Sequence, residues 1–156
     1  MTRPGSAGFT AVEMLVVLSI VGLAAAMSWG SVRDLMEQHR VSGAAGGVAT
    51  AMRLARERAV AEGNNYILTF RTASNDFQVW DDEGNDALLG TADSRRTHPM
   101  PPSCTLVSPG FFGANRVIFR PDGSADASGS VTIRSGASRR RVDLLASTGK
   151  VTVSIP

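Results

Sequence analysis

Gly8-Phe9-Thr10-Ala11-Val12-Glu13-Met14-Leu15-Val16-Val17-Leu18-Ser19-Ile20-Val21-Gly22-Leu23-Ala24-Ala25-Ala26-Met27-Ser28-Trp29 is the stretch that decides how this chain is built. From Phe9 to Trp29 it runs for 21 residues with a single charge, Glu13. At about 1.5 Å of rise per residue, a helix of that length spans a bilayer core of roughly 30 Å. The competing reading is an ordinary secretory signal peptide, with Ala24-Ala25-Ala26 as its small-residue cleavage site. Such peptides have a shorter apolar region, about 7–15 residues. Glu13 also argues against it. A carboxylate inside an apolar helix costs about 2–3 kcal/mol on permissive insertion scales, less near the helix end. A signal peptide has no use for that cost.

Ahead of the apolar run lies Met1–Ala7, a short polar leader carrying one base, Arg3. The leader, Gly8-Phe9, Glu13 and the apolar run together resemble the prepilin peptidase site of type IV pilins and type II secretion pseudopilins. The resemblance implies that prepilin peptidase cuts between Gly8 and Phe9 on the cytoplasmic face, and that the new N-terminus on Phe9 is methylated. Residues 1–8 are then a leader peptide. Residues 9–30 become a single transmembrane helix in the bacterial inner membrane, with the C-terminal domain in the periplasm. A free α-amine ordinarily titrates at about pH 8, so the Phe9 amine is largely protonated at neutral pH. The family resemblance makes its partner Glu13 of a neighbouring subunit in a filament of pilins or pseudopilins. That pair would neutralise two buried charges and fix the axial register of packing.

Downstream, residues 31–63 are predicted to continue the helix as an amphipathic segment entering the soluble domain. Val32, Leu35, Met36, Val48, Met52, Ala55 and Ala59 recur at helical spacing, with Arg33, Glu37, Arg53 and Glu57 between them. Gly63-Asn64-Asn65 is the stop signal. Gly43, Gly46 and Gly47 interrupt the pattern, each at about 1 kcal/mol relative to alanine. They serve either close packing against the domain or a weak point where the helix bends or melts during assembly.

After Gly63 the pattern turns to strands, so residues 64–156 are predicted to form a β-rich globular domain. Tyr66–Arg71 and Phe77–Trp80 are aromatic and β-branched, with Thr72–Asp76 as the turn between them. Further strands are expected at Thr105–Val107, Arg116–Arg120, Ser130–Arg134, Arg141–Ala146 and Val151–Ile155. Pro121-Asp122-Gly123 and Thr148-Gly149 carry turn chemistry. Residues 90–103, with three prolines, read as irregular loop. Asp81–Asp86 is acid-dense but lacks EF-hand spacing, and reads as a solvated loop. The expected class is α+β, one long N-terminal helix packed on an antiparallel β-sheet in the pilin-like manner.

Arg116–Gly123, Arg140-Arg141-Val142 and Ser147–Val151 resemble the GspH/FimT branch of this superfamily. A proline kink in the membrane helix and a C-terminal disulfide loop, both major-pilin features, are missing, which points to a minor subunit. The implied role is in priming a filament or forming its tip, within a type II secretion pseudopilus or a type IV pilus, and so in protein secretion. The alternative implied by the same branch is DNA binding in uptake for natural transformation, through a C-terminal Gly-Arg-x-Arg hairpin. Here the equivalent is Gly149-Lys150-Val151-Thr152, with lysine for the first base and no second base. Arg139, Arg140 and Arg141 stand nearby in sequence, but strand alternation sends Arg140 to the opposite side from its neighbours. At most two of the three then join Lys150. The charge distribution is consistent with an anionic partner for the C-terminal part. Residues 64–94 carry one arginine against six acids, a net of −5, and residues 95–156 carry nine bases against three acids, a net of +6.

Enzymatic chemistry finds no foothold. Gly-x-Ser-x-Gly is absent, and Gly149-Lys150 lacks a preceding glycine-rich loop. Cys104 is the only cysteine, which excludes an internal disulfide and zinc sites of paired cysteines. His39 and His98 have no ligand-like spacing to other residues. No catalytic residue, metal or cofactor is expected, and Cys104 is expected to be a small buried apolar residue.

Overall fold

In the computed structural model of this protein the described residues are 9–87, 94–111 and 115–156, without the side chains of residues 27–29 and 31. The leader, including Gly8, lies outside them. The chain divides into two compact units, Met1–Leu35 and Met36–Pro156.

One helix, α1, covers Ala11–Glu62, 52 residues without a proline. Thr10 caps it: the Glu13 N–H donates to Thr10 Oγ1 at 3.2 Å and the Met14 N–H to the Thr10 carbonyl at 3.2 Å. A threonine three residues before a glutamate is the capping-box pattern. At the other end Gly63 takes φ +76°, and its N–H closes onto the Ala59 carbonyl at 3.1 Å. Only glycine adopts that left-handed turn at little cost, so the helix stops there.

In the first unit the apolar side chains lie all round the helix. Leu15, Val16, Val17 and Leu18 are consecutive, about 100° apart, and every one is exposed. Ser19 Oγ donates to the Leu15 carbonyl at 2.7 Å, so the hydroxyl is satisfied within its own helix. Among the described residues no helix is long and apolar enough to cross a membrane. The apolar run Ala11–Ala26 is about 24 Å long.

In the second unit α1 buries one stripe: Val41, Ala45, Val48, Ala49, Met52, Ala55 and Ala59. Val41, Ala45, Val48, Met52, Ala55 and Ala59 recur at intervals of three or four residues, with Ala49 beside Val48, as one helix face requires. Val48, Met52, Ala55 and Ala59 are therefore core, as the sequence pattern predicts. Val32, Leu35 and Met36 are not; each is about half exposed. Four of the seven stripe residues are alanine, which lets the backbone come near the sheets. The glycines behave otherwise. A Cβ added at Gly43, Gly46 or Gly47 would meet nothing within 4 Å, so close packing is not their role within the chain. The helix runs unbroken through them.

Among the described residues nine strands follow: β1 Asn65–Arg71, β2 Asp76–Asp82, β3 Arg95–Pro99, β4 Thr105–Leu106, β5 Gly110–Phe111, β6 Arg116–Phe119, β7 Gly129–Ser135, β8 Ser138–Leu145 and β9 Lys150–Ser154. They form two antiparallel sheets. The first has the order β3-β2-β1-β6, and the second β4-β7-β8-β9 with β5 also on β7. β3 corrects the expectation of irregular loop over 90–103. Pro99 is compatible with a strand because it ends β3, where one missing N–H breaks no interior ladder bond. The helix stripe and the inner faces of both sheets form one core. Leu68, Phe70, Val117 and Phe119 come from the first sheet, and Val131, Ile133, Val142 and Leu144 from the second. The architecture is α+β with a pilin-like arrangement of a long N-terminal helix and antiparallel sheets. Truncating Met52 to alanine in so closed a core costs about 2–5 kcal/mol.

Candidate functional site

Two groups of sequence-predicted residues lie far apart in the chain, and each is built by different local physics. At the N-terminus, Phe9 is exposed and Glu13 occupies the third position of α1. There its carboxylate also faces the positive end of the helix dipole. Gly8, expected on the leader side of a peptidase cut, falls outside the described residues.

The second group lies on β8 and β9, and the ladders fix which way each base faces. Val142 and Leu144 of β8 are core, so Arg139, Arg141, Asp143 and Leu145 occupy the outer face of the sheet and Arg140 the inner side. Lys150 pairs with Leu145 and shares that outer face. Two of the three consecutive arginines thus join Lys150, as strand alternation predicts. Arg140 instead turns back, its Nη1 donating to the Arg139 carbonyl at 2.9 Å. The outer face also gains Arg134, which the local sequence pattern does not single out. It sits on β7 directly opposite Arg139. Two cations facing each other across a ladder stand about 5 Å apart at Cβ and repel. The signal is nonetheless there: Val131 and Ile133 point inward, so Arg134 points outward, and the turn at Gly136 pairs it with Arg139.

One acid interrupts this patch. Asp143 Oδ1 accepts from Arg141 Nε at 2.7 Å, and Ser154 Oγ donates to its other oxygen at 2.9 Å. Among the described residues no carboxylate pairs with Arg134, Arg139 or Lys150. The turn that carries Lys150 is held from the helix. Arg56 Nε donates to the Gly123 carbonyl at 2.9 Å, and a Cβ at Gly149 would lie 2.5 Å from that same oxygen. Gly149 also has φ +60°, so glycine is required there both by conformation and by space.

Elsewhere the acidic loop departs from its sequence reading. Asp82 is fully buried, where the acid run predicts a solvated loop. Its carboxylate accepts the N–H groups of Asp86 at 3.2 Å and Ala87 at 2.9 Å, which satisfies it without water. Cys104 is buried as expected, and burial pushes its thiol pKa up against the smaller opposing pulls of Ser135 and Arg40. Among the described residues no group of three or more His, Cys, Asp or Glu side chains is placed to hold a metal.

Known proteins give this geometry a context. A family model described as the type II transport protein GspH matches residues 44–148. No curated protein sequence matches the chain significantly. Among solved structures, the chain is similar to the minor pseudopilin EpsH from the type II secretion system of Vibrio cholerae. That likeness has a TM-score of 0.57 at 10% identity, covering 76% of this chain and 98% of the other. It is also similar to the type IV minor pilin FimU of Pseudomonas aeruginosa, with a TM-score of 0.55 at 10% identity, covering 77% and 92%. At that identity the two likenesses speak to the fold alone.

Proposed function

This chain belongs to the GspH family of type II transport proteins, and from that premise we propose that it is a minor subunit of a pseudopilus or type IV pilus. Prepilin peptidase cuts it between Gly8 and Phe9, and Phe9 is then methylated. Residues 9–30 hold it in the inner membrane with the β-rich domain in the periplasm. From there it joins other pilins or pseudopilins in a filament, contributing to priming or to the tip, and so to secretion. One observation carries this reading: an apolar helix with side chains such as Leu15 and Leu18 exposed in every direction needs lipid or other helices around it. The test is mass spectrometry of the protein recovered from membranes. The expected N-terminus is Phe9 with one added methyl group. An intact Met1, or a terminus after Ala26, would sink the proposal.

A second reading is favoured by one feature, the unneutralised Arg134 and Arg139 facing each other on the outer sheet, with Lys150 on the same face. Facing cations without a carboxylate cost stability and are relieved by an anion such as a DNA phosphate. On this reading the protein binds DNA without sequence preference while remaining a filament subunit.

A further inference from the structure

β3 is the outermost strand of its sheet, and among the described residues no strand pairs with its far edge. An open edge of this kind presents unpaired N–H and C=O groups that template another strand. Beside it, on the side facing α1, lies an open groove of about 420 Å³ between the helix and the inner face of β2 and β3. Leu54, Phe77, Val79 and Met100 give it an apolar lining. The His98 ring lies stacked on Phe77, with centroids 5.0 Å apart and planes 11° apart, and firms the strand side. The helix side is open at Gly43 and Gly47, which line the groove and where the chain puts nothing in the place of a side chain.

The charge around the groove is predominantly positive. Among the described residues Arg58, Arg95 and Arg96 line it against one acid, Asp81. Arginines on an edge strand repel the same strand of a second copy, which excludes β3 of another subunit as the occupant. They attract a strand that carries carboxylates. Strand alternation then dictates the rest of the pattern: if one face of the incoming strand enters the apolar groove, its acids lie on the other face, towards Arg95.

We infer that the edge of β3 and the adjoining groove receive an extended segment of a partner polypeptide, added as a fifth strand of the first sheet. Its inward side chains are small and apolar, and its outward side chains are acidic. The inference goes beyond filament membership, and it holds whether or not the N-terminal processing occurs. Main-chain bonds along β3 supply affinity, while the groove and the arginines select the sequence.

The probe is a capped seven-residue peptide alternating glutamate and valine, titrated against the full chain in detergent. The expected result is saturable binding, with slower hydrogen exchange at β3 amides. A lysine–valine peptide should bind at least about tenfold more weakly, since the cationic rim repels it. Gly47→Leu fills the groove from the helix side without touching β3, and should weaken binding about tenfold while leaving the unfolding midpoint unchanged or raised. Arg95→Glu should weaken it by a similar factor. No binding of the glutamate peptide at millimolar concentration would overturn the inference. So would equal binding of the lysine peptide, unchanged affinity in Gly47→Leu, or tighter binding by a helical peptide of the same composition.

Discussion

On the proposed assembly Glu13 meets two demands, its own helix end and the amine of Phe9 in the next subunit. The first is the capping position three residues after Thr10, which glutamate and glutamine side chains both suit. The second needs a negative charge. Glu13→Val and Glu13→Gln should therefore insert into the membrane as well as the parent or better, because a costly charge has left the span. Both should enter filaments at least about tenfold less, since leaving the partner ammonium unpaired costs about 3–5 kcal/mol. Quantifying the subunit in sheared filaments against the membrane fraction checks this. If Glu13→Gln assembles normally, the cap and not the charge is what matters. At the same scale, Asp82 is a residue whose place the sequence hides. An acid run looks solvated, and nothing local reveals that one carboxylate of the run turns inward to hold two backbone N–H groups.

Among the elements, α1 is largely legible, since the glycine stop and the threonine cap bracket it and the buried stripe keeps helical spacing. What the sequence obscures is the meaning of Gly43 and Gly47, whose surroundings depend on β2 and β3. With empty space around them, Gly43→Ala and Gly47→Ala should each raise stability by about 0.5–1 kcal/mol through helix propensity alone. A higher urea midpoint with unchanged slope is the expected observation. A fall in the midpoint would mean that something already packs there. β3 escapes a sequence reading because its arginines and Pro99 dominate the local pattern, and only pairing with Asp76–Trp80 makes it a strand. β5 is two residues long and owes its existence to β7, so no local signal marks it. The basic site is half legible: alternation sorts Arg139, Arg140 and Arg141 correctly, whereas Arg134 needs the register across the hairpin.

For the molecule as a whole, four of the nine bases of residues 95–156 (Arg134, Arg139, Arg141 and Lys150) share the outer face of the second sheet. Two or three phosphate contacts there predict weak binding to duplex DNA, with dissociation constants of about 10⁻⁴ to 10⁻⁶ M at physiological salt. The log–log salt slope should be about −2 to −3. Mobility-shift titrations should find that Arg134→Ala and Arg139→Ala each flatten the slope by about one, while Arg140→Ala, on the inner side, leaves it unchanged. Equal effects of all three would remove the outer face as the binding surface. One further property follows from the contact between helix and final hairpin. Arg53 Nη2 donates to the Val151 carbonyl at 3.1 Å across 98 residues of sequence. Contacts of such separation must pay for loop closure before they return anything, which slows folding relative to a domain of local contacts. During synthesis the helix emerges first, and its Val41–Ala59 stripe is not fully covered until β9 has been made. In that interval the nascent chain carries a sticky amphipathic helix with only part of its sheets, and whatever receives it has to shield the open part of that face until the last strand arrives.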